Sequence, residues 1–155
     1  MRKLIFIASF LTVFALSGCS TTSDLKKYVE EINAEQEAKY SPIRTKFTDH
    51  GDGKTSMEFP VWAGTVGESA FHDQFKDTIF EAFSSNCGFE KDSLKEFRIV
   101  KHDPPVWYEV WVFNDPNSKR LDKTSGISVV VRHNTETNYT KAYFYGNENC
   151  FNTIK

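Results

Sequence analysis

The side chains of this 155-residue chain whose type and spacing bear on chemistry are few. His50, His72, His102 and His133 form no HxH or HExxH pair, so zinc finds no local ligand spacing. His72-Asp73 and His102-Asp103 each set an imidazole beside a carboxylate. Such a pair becomes a base dyad only if the fold delivers a nucleophile to it. No GxSxG elbow, phosphate-binding loop or dinucleotide-binding glycine pattern is present to supply one. Asp49-His50-Gly51-Asp52-Gly53 invites a calcium reading but fails it. With Gly53 in the sixth position of an EF-hand loop, the first, third and twelfth ligand positions would be Thr48, His50 and Phe59. Turn chemistry accounts for that run better, because Gly and Asp accept unusual backbone angles. These observations point away from an enzyme and from any metal or cofactor.

The aromatic residues carry more information. Trp107 and Trp111 fall on one face of an extended segment with Glu109 between them, and Tyr108 points the other way. That arrangement resembles a carbohydrate platform, and it is the candidate binding face. Tyr139, Tyr143 and Tyr145 likewise share a face with Lys141. Tyr and Trp are favoured at binding surfaces, and equally in strands, where they pack well. A small domain needs a bulky core, so burial is the competing expectation for both sets.

The elements that must position these residues follow from periodicity. Leu25, Tyr28/Val29 and Ile32 recur at helical spacing, predicting a helix over 24–40 with Ser23 as its cap, ended by Pro42. Ile43, Thr45 and Phe47, then Met57, Phe59 and Val61, alternate like the arms of a hairpin around the Gly-rich loop. After a connector at 64–67, Phe71, Phe75, Ile79 and Phe83 fall on one face of a second helix that Ser69 can cap. Gly88 can stop it, with Phe89 folding back on Phe83. Strands are then expected over 97–102, 106–113, 127–131 and 139–145. The segment 106–113 is apolar on both faces except at Glu109, as a central strand covered on both sides would be. The fold class is α+β: an antiparallel sheet of five or six strands with one long helix packed on it, plus an N-terminal helix.

The N-terminus sets location. Met1-Arg2-Lys3 is basic, and residues 4–16 (LIFIASFLTVFAL) carry no charge but are too few to cross a bilayer. Leu16-Ser17-Gly18-Cys19 at the end of that run resembles the lipobox of bacterial lipoproteins. The resemblance implies that residues 1–18 are a signal peptide removed on export. It also implies that Cys19 takes a diacylglycerol, and that its new amine is often acylated. Two or more chains make a stable anchor. Ser20, where Asp commonly retains such proteins at the inner membrane, favours the outer membrane, facing the periplasm, in a Gram-negative source.

Acylation of Cys19 leaves Cys87 and Cys150 in an oxidising compartment, where a disulfide is expected; buried thiols or a metal pair are the alternatives. A bridge would join the helix end to the last strand. Residues 19–42 then form the lipidated N-terminus, spacer and helix, and 43–155 a single domain. Without the signal, 17 Lys and Arg face 21 Asp and Glu, a balance that argues against nucleic acid and against electrostatic binding to anionic lipid. The expectation is a lipid-anchored, non-enzymatic binding or accessory protein of the cell envelope, with a membrane contact through Cys19 and a protein partner. One specific form is an immunity protein against an envelope-targeted toxin. The alternative is an envelope glycan or peptidoglycan binder, or a hydrolase, using the aromatic face.

Overall fold

The first helix shows how local chemistry sets the boundaries. The computed structural model describes residues 21–146 and Cys150. Residues 1–20, on which the signal-peptide, lipobox and Ser20 readings fall, lie outside the described residues. Helix α1 runs Thr22–Ala38 and is capped by Thr21 rather than by Ser23. Thr21 Oγ1 accepts the Asp24 N–H at 3.3 Å while the Asp24 carboxylate accepts the Thr21 N–H at 3.0 Å. A reciprocal capping box needs an acid three residues on. Thr21 has Asp24 there, whereas Ser23 has Lys26.

At the other end of α1, Tyr40 N–H donates to Glu37 O and Ser41 N–H to Gln36 O, each at 2.9 Å. This is the Schellman pattern, with Tyr40 in the left-handed position that glycine usually takes, at φ +52°. A side chain there costs roughly 1–2 kcal/mol, so its ring must make compensating contacts. The Asn33 amide ties α1 to the first strand, donating to Thr45 O and accepting from Thr45 N–H, both at 2.8 Å.

Strands β1 (Ile43–Gly51) and β2 (Lys54–Trp62) pair as a hairpin. It forms its own two-stranded sheet, correcting the expectation of one sheet. The separation comes just past β2. Gly64, at φ +79°, passes so close to the backbone at Ile99 that a Cβ would lie 2.5 Å from Ile99 O. The connector expected at 64–67 contains a short strand, β3 (Thr65–Gly67). Helix α2 (Asp73–Cys87) follows. Its cap is His72, whose Nδ1 accepts the Phe75 N–H at 3.2 Å, while Ser69 accepts the Phe71 N–H one turn earlier. Gly88 takes the left-handed position and ends the helix, and Phe89 N–H reaches Phe83 O while its ring stacks on Phe113.

Strands β4 (Leu94–Asp103), β5 (Val106–Asn114), β6 (Thr124–Asn134) and β7 (Tyr139–Tyr145) complete a five-stranded antiparallel sheet ordered β3-β4-β5-β6-β7. Strand β5 is central and covered on both sides. On one face α2 lays Ile79, Phe80 and Phe83 over Trp111, Phe113, Ile127 and Val129. On the other, Tyr108, Val110, Val112 and Val130 meet Tyr40, Trp62 and Ala63 from the end of α1 and the base of the hairpin. Cys87, the last residue of α2, and Cys150, beyond β7, lie at disulfide distance with their Cα atoms 4.6 Å apart. The architecture is thus α+β. Of the α-helices whose full extent lies among the described residues, α1 is the longer, and it is α2, shorter by less than a turn, that covers the sheet.

Candidate functional site

Two places gather the residues that sequence chemistry singles out, and they differ in access. The first surrounds Glu109 on β5. A register shift between Ile99 and Lys101 puts one extra residue in β4, so His102 pairs with Trp107 and lies diagonally from Glu109 on the α2 face. His102 Nε2 and Glu109 Oε1 are 2.9 Å apart, Ala70 N–H donates to the same oxygen at 2.8 Å, and Trp111 Nε1–H donates to Oε2 at 3.0 Å. Glu109 is fully buried, and so is Trp111 beneath Phe80 and Phe83. Trp107 is half-buried and packs against the same core.

The structure therefore corrects the open-platform expectation for Trp107, Glu109 and Trp111. Helix α2 has to bury an apolar stripe of its own, and the tryptophans are the surface it buries against. The carboxylate survives burial because two N–H donors and the His102 ring nitrogen converge on it. Its oxygens pin the segment leading into α2 to the central strand. The sequence pairs His102 with Asp103, but the fold pairs it with Glu109, and the Asp103 carboxylate faces Lys101 at 3.4 Å.

The other histidines go elsewhere. His72 caps a helix, and His50 bonds Ser56 Oγ at 2.8 Å near the hairpin tip. In that tip Gly51, Asp52 and Gly53 all take positive φ, as the turn reading requires. Among the described residues, no three His, Cys, Asp or Glu side chains cluster as metal ligands would.

The second place is on the opposite face. Tyr40, Trp62 and Ala63 cover that face over the middle of the sheet. Beyond them, toward the β6–β7 turn, it opens into a groove of about 920 Å³ lined by Val106, Arg132, His133, Tyr139, Lys141 and Tyr143, among others. Arg132 Nη2 donates to Tyr40 Oη at 2.5 Å. Its guanidinium carbon lies 5.4 Å from the Tyr40 ring centre and 5.7 Å from that of Tyr143. Lys141 Nζ sits 5.7 Å over Tyr139. Tyr40 also stacks on Tyr145 and meets Tyr108 edge-on, the contacts that offset its backbone strain. Burial pushes the Tyr108 phenol above its usual range, and its hydroxyl donates to Ser41 O at 2.6 Å. Partial burial also raises Tyr145, against the opposing pull of Arg132.

None of the residues lining this groove is acidic. Among the described residues, Arg132 and Lys141 take part in no ion pair. The sequence places Tyr139, Tyr143 and Lys141 on a common face, and the fold agrees, with Tyr139 and Tyr143 partly open to solvent. Sequence reasoning missed Arg132 and Tyr40. The available signals were a cation in register with the inward-facing Ser128 and Val130, and a tyrosine where the helix needs a left-handed residue.

No family model, no curated protein and no solved structure matches the chain.

Proposed function

We propose that this chain is a lipid-anchored protein of the bacterial envelope that works by binding a protein partner rather than by catalysis. The carrying observation is the fate of Glu109. The carboxylate nearest to a histidine is fully buried, and both of its oxygens are engaged by donors that hold the fold together. A glycan platform or hydrolase built on Trp107, Glu109 and Trp111 loses its ligand-facing surface by the same fact. What the domain offers outward is a groove of tyrosines and cations, a composition typical of binding hot spots.

The anchor belongs to this reading. Cys19 carries the lipid after cleavage behind Gly18, and Ser20 directs a Gram-negative chain to the outer membrane, facing the periplasm. The α1 cap at Thr21 comes two residues after Cys19, and the Asn33–Thr45 bonds fix α1 to the domain. The folded part thus stands at the bilayer without a long tether. We read Cys87 and Cys150 as a disulfide formed after export. Blocking an incoming envelope-targeted toxin, as an immunity protein does, is the specific form that a small anchored domain suits; an adjacent toxin or secretion gene would support it.

Replacing Cys19 tests the anchor. Cys19→Ala should abolish labelling by radioactive palmitate, leave the precursor uncleaved at Gly18, and alter its detergent-phase partitioning. A variant that is still labelled and processed would overturn the anchor. Crosslinked envelopes that repeatedly return no partner for the wild-type chain would overturn the binding reading.

A further inference from the structure

Arg132 presents a guanidinium with five N–H donors, of which one goes to Tyr40 Oη. The half-buried arginines of this acidic chain find a carboxylate, whereas Arg132 is exposed and has none among the described residues. Arg98 has Glu96 at 2.7 Å and Arg120 has Asp122 at 3.1 Å. Arg132 has tyrosine rings instead, and so does Lys141. Aromatic rings hold a cation in place without neutralising it, so both charges remain available to a ligand from outside.

We propose that the groove between Val106, Arg132 and Tyr139 is the docking site for a carboxylate-bearing segment of a protein partner. This rests on the reading of the chain as a binding protein and supplies the chemistry of its partner. Charge complementarity carries the choice. The groove gathers Arg132 and Lys141 with no lining acid, on a chain with more Asp and Glu than Lys and Arg. A planar guanidinium fork fits a carboxylate bidentately, and the tyrosine edges supply contact area at low entropic cost. A glycan fits less well, because it stacks on flat ring faces, and here Tyr139 and Tyr143 each carry a cation over one face. Anionic lipid fits less well, because the chain's overall charge repels it.

The test uses the full lipidated chain in nanodiscs of phosphatidylcholine and a fluorescent dodecapeptide of alternating Glu and Ser, titrated by anisotropy. Its Gln counterpart is the control peptide. The acidic peptide should bind in a salt-sensitive manner and the Gln peptide should not. R132Q/K141Q should weaken binding by about tenfold or more, whereas K54Q/K95Q should leave it unchanged. That second pair removes the same charge from two lysines that also lack an ion pair among the described residues. K141Q alone, which removes no hydrogen bond of the fold, should give an intermediate loss and guards against misfolding of the double variant.

Equal loss in both charge pairs, or none in either, would overturn the proposal. So would displacement of the peptide's role by phosphatidylglycerol vesicles or a peptidoglycan fragment, if either binds through Arg132 and Lys141 while the peptide does not. Specific crosslinks to a partner from another face, with no peptide binding here, would remove this site and leave the binding function standing.

Discussion

The two faces of the five-stranded sheet are built from the same residue types and end up doing opposite things. On the α2 face, Trp111, Phe113, Ile127 and Val129 are fully buried, and Phe80, Phe83 and Phe89 interlock with them. Even the carboxylate of Glu109 is absorbed into that face. On the other, cover comes from Tyr40, Trp62 and Ala63, side chains at the ends of elements rather than a helix laid along the strands. They reach only so far, and past them tyrosines meet cations and solvent. The difference lies in what covers each face. A helix covers a stripe of sheet along its whole length, whereas a helix end and a hairpin base cover a spot.

The sharpest way to break this comparison is Trp111→Ala. Its indole contacts Phe80, Phe83 and Phe97 and donates to Glu109. Removal leaves a cavity and an unsatisfied carboxylate oxygen together, so a loss of about 3–5 kcal/mol is expected in a denaturant melt. A loss under about 1 kcal/mol, the range of conservative swaps, would mean that α2 does not clamp this face.

Gly126→Ala probes the covered half of the second face. A Cβ there would stand 2.5 Å from the Trp62 ring, whose six-membered part packs against the glycine. The indole cannot retreat freely. Its Nε1–H is bonded to Thr124 Oγ1 at 3.0 Å, and the Arg120 guanidinium stacks 4.2 Å above it. Overpacking of about 1–3 kcal/mol is expected, measured by thermal unfolding. Unchanged stability would show that the hairpin base is loosely held and that the cover on this face is smaller still.

Much of this contrast was legible in the sequence. The run at 106–113, apolar on both faces except at Glu109, marks a central strand covered twice, and β5 is that strand. Helix α2 and its stop at Gly88 follow from periodicity, and the meeting of Cys87 with Cys150 from their being the two cysteines left once Cys19 is set aside. What was not legible depends on pairing. Whether Trp107 and Trp111 look at solvent or at a helix is decided by which face α2 chooses, and nothing local encodes that choice. His102 meets Glu109 only because β4 carries an extra residue, and a bulge leaves no mark in a single strand's alternation. The hairpin forms its own sheet although its alternation reads the same as that of strands in the main sheet. Arg132 was overlooked because a cation in a strand reads as a solvated position, whereas its worth comes from Tyr40, 92 residues away in sequence.

Tyr139→Ala should have the smallest effect on stability and the most to say about the open end of the second face. The ring is 58% exposed and its notable partner is the Lys141 ammonium. Its removal empties no cavity and orphans no buried polar group, so unfolding free energy should stay within about 0.5 kcal/mol of wild type. Lys141 then loses the ring that holds it over the groove, and titration with the acidic peptide should weaken while the melt stays put. A melt lowered as much as by Gly126→Ala would place Tyr139 in the core and close the groove as a surface. Unchanged stability with weaker binding would separate the part of this face that holds the fold from the part that faces a partner.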